Sequence, residues 1–461
     1  VTPEEFRAAG HRVVDWIADY RERVGSLPVA SSVAPGEVRS LLPDHAPSGP
    51  DGIDELLADL DRVVLPGLTH WQSPGFFAYF PANAALSSVL GDLTSSGLGV
   101  NGFSWVTSPA VTEVELAVMD WMVELLGLPD RFRGNGCIQD SASGGTLCAV
   151  LAARERAVRA GAPLDRLVAY ATAQAHSSVE KALRVAGFAP ERCRTVAHDA
   201  AFAMDVADLA DRMASDVAEG LVPCFVATAA GTTSSEAFDP VDEVAEVAHR
   251  HGAWVHLDAA MCGIAGLCPE LRRVHRGVED VDSYLTNGHK WMGVVFDCTF
   301  FWVADPEPLL QALSILPEYL RSDAAQSGAA RDLRDWQVPL GRRFRALKVW
   351  FLLRLDGVES VRAMIRSHVE WARQLETWVR ADDRFEVLAP VSMNLVCLAL
   401  RAGDDATQQL VEAVNASGEA LVTPTVLDGR RVLRVCIGAQ HTERHDVEAL
   451  WSLIRRTAPA G

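Results

Sequence analysis

Trp254-Val255-His256-Leu257-Asp258-Ala259-Ala260 is the stretch on which the fold turns. Its apolar run has the length of a strand buried on both faces, and it ends in a carboxylate followed by two small residues. A carboxylate at the end of a buried strand needs a cation or a proton-bearing partner, because an unpaired buried charge is very costly. A protonated ring nitrogen would satisfy it, and so would a structural salt bridge to an arginine; the heptapeptide leaves both open.

Similar β-rich runs lie on either side, at 167–170, 194–197, 222–229, 253–257, 283–285 and 298–303, with helical stretches at about 145–160, 176–186, 205–219 and 240–251. Such alternation predicts a mainly parallel sheet with helices on both faces, in which ligands bind beyond the strand ends. The informative residues fall there. Leu285-Thr286-Asn287-Gly288-His289-Lys290-Trp291 puts a lysine where a strand passes into a turn. A partly desolvated ammonium loses its proton easily, so Lys290 reads as a nucleophile that forms a Schiff base with an aldehyde cofactor, or else as an ordinary strand-end lysine. Ser141-Ala142-Ser143-Gly144-Gly145-Thr146 leads into a helix, and its small residues and amides suit a phosphate or a plain helix cap. Gly231-Thr232-Thr233 is a second turn of this type, and Gln174-Ala175-His176-Ser177-Ser178 holds an imidazole that can lie against a planar ring or simply cap a helix.

A chain of 461 residues exceeds one ordinary core, and two or three domains are expected. With 61 acidic and 42 basic residues, the net charge of −19 argues against nucleic acid or an anionic membrane as partner. No apolar run is long enough for a membrane span. The nine cysteines include no C-x-x-C pair, which points to a reduced, cytoplasmic protein without structural zinc; His249, His251 and His256 lack metal-site spacing.

Thr2-Pro3-Glu4-Glu5 reads as a capping box that opens an amphipathic helix, and a proline-rich segment follows. An N-terminal arm that embraces a partner subunit fits this pattern, as does an arm folded back on its own chain. Aromatic residues crowd between turn formers at 65–81 and again at Asn101-Gly102-Phe103-Ser104-Trp105, where they read as pocket lining. A strongly apolar helix follows at 110–126. Residues 314–336 are polar and read as a mobile functional loop carrying Tyr319; beyond about 361, helices and short strands (384–388, 394–400, 431–437) form a smaller α+β domain. The division predicted is an arm and dimerisation segment (1–84), a large cofactor domain (85–360) and a small domain (361–461).

Taken together, these motifs resemble the pyridoxal-phosphate-dependent group II amino-acid decarboxylases, and among them the aromatic-L-amino-acid decarboxylases. The resemblance spans nearly the whole chain, from Pro66-Gly67 and Phe76 to Pro81 through Gly102 to Trp105, the Ser141, His176, Thr232, Asp258 and Lys290 motifs, Phe296-Asp297-Cys298, and Trp336 to Lys348. It implies an α/β, fold-type I transferase-like architecture with a mainly parallel seven-stranded sheet. It also implies pyridoxal 5'-phosphate as cofactor and a homodimer, with no metal.

Through the same resemblance, Lys290 matches the cofactor lysine, Asp258 the partner of the ring nitrogen, and His176 the imidazole stacked on the ring. Ala142, Ser143, Thr232, Ala260, Asn287 and His289 match cofactor-contacting positions. Tyr319 matches the loop tyrosine that protonates the substrate carbon. Trp71, Tyr79, Phe80 and Phe103 match the aromatic pocket, and Gly341 leans toward tryptophan-like substrates. Four positions depart from the vertebrate-like pattern: Gly288 in place of proline, Met261 in place of tyrosine, Gly144-Gly145 in place of Glu-Ala, and Ala82 in place of a threonine or serine that reaches the substrate carboxylate. The activity expected is decarboxylation of an aromatic L-amino acid to its arylalkylamine. The alternatives are an aldehyde synthase, which Tyr319 disfavours, a decarboxylase of another amino acid such as histidine or glutamate, and a non-catalytic homologue.

Overall fold

The computed structural model describes residues 1–315 and 330–459. Seven strands form one sheet: β1 (Gly136–Gln139), β2 (Leu167–Thr172), β3 (Cys193–Val196), β4 (Val222–Ala229), β5 (Trp254–Asp258), β6 (Ser283–Asn287) and β7 (Thr299–Val303). Their spatial order is β1-β7-β6-β5-β4-β2-β3. The pairings β2–β3, β2–β4, β4–β5 and β5–β6 are parallel, and β7 runs against both β6 and β1. The expected mainly parallel, seven-stranded sheet is therefore present, with β7 reversed.

The central strands β4, β5 and β6 are buried nearly throughout because helices cover them, which is why they read as continuous apolar runs. Helices Ala142–Arg159, Ser177–Val185, Val206–Ala218 and Val241–Arg250 lie within two or three residues of their expected bounds. Two elements of this region did not stand out in the sequence. Strand β1 is four residues long and opens on Gly136, where a side chain would run into Trp302 of β7 and Met119. Helix Leu86–Leu98 is rich in Ser, Thr and Gly, which are weak helix formers, so its pattern is faint. Tertiary packing explains it. A Cβ on Gly91 would lie 2.7 Å from the Leu347 carbonyl oxygen, so the glycine lets helix Ala346–Leu355 approach backbone to backbone.

The chain forms two compact units, one of Val1–Pro81, Trp378–Glu386 and Leu398–Gly461, the other of Ala82–Thr377 and Val387–Cys397. The second holds the seven-stranded sheet. In the first, helix Pro3–Arg23 starts with the expected capping box, Thr2 and Glu5 each meeting the other's backbone N–H. A smaller sheet has the order β10-β11-β9-β8, made of β8 (Phe385–Val387), β9 (Leu395–Leu400), β10 (Thr423–Leu427) and β11 (Arg430–Cys436). Strand β10 escaped sequence reading because it contains Pro424, which an edge strand tolerates.

Candidate active site

Strands β5 and β6 deliver the two charged residues to one edge of the sheet. Asp258 is in register with Ala229 of β4 and Leu285 of β6, so it closes β5 five residues before Lys290 in the pairing frame of β6. One carboxylate oxygen of Asp258 accepts from the Ala260 N–H at 2.9 Å, and the Ala259 N–H donates to the Leu285 carbonyl at 3.0 Å. The other oxygen makes no hydrogen bond among the described residues. Asp258 is half-buried.

Lys290, also half-buried, follows three fixed residues. Asn287 ends β6, and its side-chain oxygen accepts from the Thr299 hydroxyl at 2.6 Å. Gly288 has no room for a side chain, since a Cβ there would sit 2.9 Å from Cε2 of Phe300 and 3.2 Å from Sγ of Cys298. His289 is buried with Nδ1 2.7 Å from the Cys298 carbonyl. Burial first, and then the charge of Lys290, push His289 down to about 4, which keeps the ring neutral.

His176 caps helix Ser177–Val185. Its Nδ1 accepts from the Ser178 N–H at 3.2 Å and lies 2.8 Å from the Ser178 hydroxyl, so the ring proton of the neutral form is on Nε2. Desolvation is the main cause of its lowered pKa; Asp258 opposes that shift and Lys290 adds to it. A single imidazole thus feels both charges.

Helix Ala142–Arg159 begins with Ser141 as N-cap, its hydroxyl oxygen accepting from the Gly144 N–H at 3.1 Å. The amides of Ala142 and Ser143 lie in the first turn, where no intrahelical acceptor exists, and no acidic residue occupies that turn. Gly145 brings the helix start onto β6, since a Cβ there would lie 3.1 Å from Cδ2 of Leu285. A phosphate needs unpaired amides at a positive helix end, an aldehyde needs a partly desolvated amine, and a ring nitrogen needs a carboxylate with an uncommitted oxygen. Ala142 and Ser143, Lys290, and Asp258 supply those three features, so the residues present fit pyridoxal phosphate.

The remaining expected residues are distributed as follows. Thr232 is buried with its hydroxyl 2.8 Å from that of Ser235 and accepting from the Ala237 N–H at 2.9 Å, so it closes its own turn. The Phe103 carbonyl accepts from the Arg334 N–H at 2.9 Å. A Cβ on Gly341 would meet only the Asn101 side-chain nitrogen, at 3.9 Å, so that glycine leaves open space. Trp71, Tyr79 and Phe80 belong to the other compact unit. There Trp71 stacks on Phe76 and Tyr79 at centroid distances of 4.6 and 5.8 Å. Tyr79 has a left-handed backbone (φ 51°), held at its N–H by the Thr423 hydroxyl and at its carbonyl by Arg434. Tyr319 lies outside the described residues, as does most of the loop expected at 314–336.

Sequence reasoning passed over one strong signal. The chain contains three lysines, 181, 290 and 348. Lys181 is exposed on a helix. Lys348 is fully buried and donates to the Asp297 carbonyl at 2.8 Å, beside the Arg345–Asp297 ion pair. Lys290 is therefore the lysine at the sheet edge. Asn83 was also missed. It is a buried amide in the run Pro81-Ala82-Asn83-Ala84-Ala85, and a lone polar residue among small apolar ones could have drawn notice.

The model of the pyridoxal-dependent decarboxylase conserved domain matches residues 35–401. The chain is 43% identical to a phenylacetaldehyde synthase of Arabidopsis thaliana, covering 99% of this chain and 96% of the relative. It is 42% identical to tryptophan decarboxylase 2 of Oryza sativa subsp. japonica, covering 99% and 95%. A crystal structure of Oryza sativa TDC with PLP and tryptamine superposes with a TM-score of 0.96 at 41% identity, over 99% of this chain and 98% of that one. With the fitting residues at the sheet edge, these matches establish that the chain belongs to the pyridoxal-dependent decarboxylase family, as a carboxy-lyase whose cofactor is pyridoxal phosphate.

Proposed function

We propose that this protein decarboxylates an aromatic L-amino acid to its arylalkylamine and CO2, with a tryptophan-like side chain preferred. The observation that carries the site reading is the placement of Asp258 at the end of β5, in register with Leu285 of β6, five residues before the half-buried Lys290. The aromatic substrate class is supported by the relatives named tryptophan decarboxylase and phenylacetaldehyde synthase, and the indole preference by the sequence match of Gly341 alone.

Pyridoxal phosphate, when bound, supplies the sink for the electron pair that the departing CO2 leaves behind. Everything else is the work of the chain. Lys290 provides the amine that anchors the cofactor. Asp258 would hold the ring nitrogen and favour its protonated form. His176, neutral and pinned through Nδ1, presents a flat face to the ring without adding a competing charge. The first-turn amides of Ala142 and Ser143 receive the phosphate, with Asn287 and His289 fixing the lysine turn beside it, and Thr232 and Ala260 shaping the surrounding loops. For Trp71, Tyr79, Phe80 and Phe103, a role as aromatic surface for the substrate is supported by their sequence match alone. Tyr319 donates the proton to the substrate carbon, a role supported by its sequence match alone.

The proposal includes a homodimer. Leu86, Leu90 and Leu93 are 45, 44 and 51% exposed on one face of helix Leu86–Leu98, an apolar stripe that a second copy would cover. The arm (1–84) is assigned as dimerisation segment on its sequence pattern alone. A reducing compartment such as the cytoplasm agrees with nine cysteines that are all free.

Aldehyde synthesis is the second reading, favoured by the 43% identity to the Arabidopsis enzyme and disfavoured by the presence of Tyr319. A product assay across tryptophan, 5-hydroxytryptophan, tyrosine, dopa and phenylalanine separates the two. Amine and CO2 in equal amounts without peroxide are expected. Aldehyde with ammonia and peroxide would move the protein to the second reading, and no CO2 from any of the five would refute both.

A further inference from the structure

We infer that Asn83 is a positioning residue for Lys290, holding the lysine turn through two adjacent carbonyls. The inference rests on the assignment of Lys290 as the cofactor lysine. Asn83 is 1% exposed and grips two successive carbonyls. Its backbone N–H donates to the His289 carbonyl at 3.0 Å, and its side-chain Nδ2 donates to the Lys290 carbonyl at 2.8 Å. The strap continues along the same turn: the Ala85 N–H donates to the Gly293 carbonyl at 2.8 Å, and the Ser88 hydroxyl accepts from the Val295 N–H at 2.9 Å.

Cys298, the residue before β7, also holds the turn. The His289 N–H donates to the Cys298 carbonyl at 3.2 Å, and the Cys298 N–H approaches His289 Nδ1 at 3.1 Å. Inside the turn, the Lys290 N–H reaches the Asn287 carbonyl only at 3.4 Å, a long bond that would leave the lysine backbone loosely fixed by itself. Asn83 suits the task because one residue presents a backbone donor and a side-chain donor to adjacent carbonyls. In a water-shielded site each such bond resists loosening of the turn. Gly288 makes the clamp more necessary. Where a proline would stiffen the backbone before His289, the chain has the most flexible residue, and Asn83 restores the rigidity from outside.

The test compares wild type with Asn83→Ala, which withdraws the Nδ2 donor, Asn83→Asp, which sets an acceptor against the Lys290 carbonyl, and Asn83→Ser, which can still donate. Two readouts besides activity are taken: the rate of pyridoxal phosphate release into a trap, and hydrogen exchange by peptide. The expected result for Ala and Asp is release faster by about 5- to 30-fold, the size of one or two hydrogen bonds, with exchange rising only in peptides covering 287–295. Asn83→Ser should recover part of the loss, and kcat should fall more than KM rises. Wild-type release rates with unchanged local exchange would overturn the inference. So would a uniform rise in exchange across the chain, which would make Asn83 ordinary core support; if Ala and Asp fail to fold, Ser decides by the same readouts. Borohydride labelling of the wild type at a lysine other than Lys290 would instead remove the underlying assignment, so the two failures are distinguishable.

Discussion

Asp258→Asn separates charge from shape at the residue scale. The asparagine oxygen can still accept from the Ala260 N–H, so the strand end should stay folded and the melting temperature should change little. The negative charge opposite the ring nitrogen is lost, and kcat should drop on the order of 10²- to 10³-fold, the scale of removing one preorganised electrostatic contact. Steady-state kinetics beside a thermal melt check this; a variant of normal kcat would mean that Asp258 does not face the cofactor. This residue was legible because chemistry left few reasons for a carboxylate to end a buried strand. Asn83 was not, since a buried amide has no local signature until its carbonyl partners, more than 200 residues away, are in place. The scarcity of lysine was legible in the composition and decisive only when the burial of Lys348 and the exposure of Lys181 were added.

Elements were readable where a buried run or an amphipathic period marked them, and unreadable where close packing dictated the residues. Helix Leu86–Leu98 belongs to the second kind, as does the lysine turn with Gly288. The Phe300 ring and the Cys298 sulfur fill the space next to Gly288. Gly288→Pro should therefore destabilise the protein by about 1–3 kcal/mol, the usual cost of overpacking, although it restores the family's more common residue. Phe300→Leu combined with Gly288→Pro should recover part of that loss, giving a non-additive double-mutant cycle in urea denaturation. Additive losses would mean that the two positions do not compete for the same space. Gly91→Ala makes a sharper case, because the obstacle is the Leu347 carbonyl and not a mobile side chain.

The whole molecule carries a pH dependence in its buried histidines. Burial lowers His256 and His275 to about 4 and His368 to about 3. Unfolded, each ring takes up its proton near pH 6.5, so below that pH the unfolded chain binds more protons than the folded one. Their stabilising contribution is complete above pH 6.5 and is lost as pH falls toward 4, at about 1 kcal/mol per pH unit for each ring. Asp239, raised to about 6 by burial, acts in the opposite direction between about pH 4 and 6, one group against these three rings and His289. The urea midpoint should thus decline from pH 6.5 to 5; a flat profile would contradict the burial of these rings.

The proposed dimer belongs to the same scale. Leu90→Glu should weaken the dimer by about 10- to 100-fold in light scattering across a dilution series, as a charge placed in an apolar contact would; an active wild-type monomer would remove that part of the account. The large sheet could be read from the sequence because its central strands β4, β5 and β6 carry continuous apolar runs. The face proposed for a second copy could not, since an exposed leucine stripe acquires meaning only on a folded helix.

The central claim is that one lysine of three carries the cofactor. Borohydride reduction of the protein loaded with pyridoxal phosphate, followed by peptide mapping, tests it most directly. A single phosphopyridoxyl group is expected on the peptide containing Lys290, with Lys181 and Lys348 unmodified. A label on either of those two, or none at all, would contradict it.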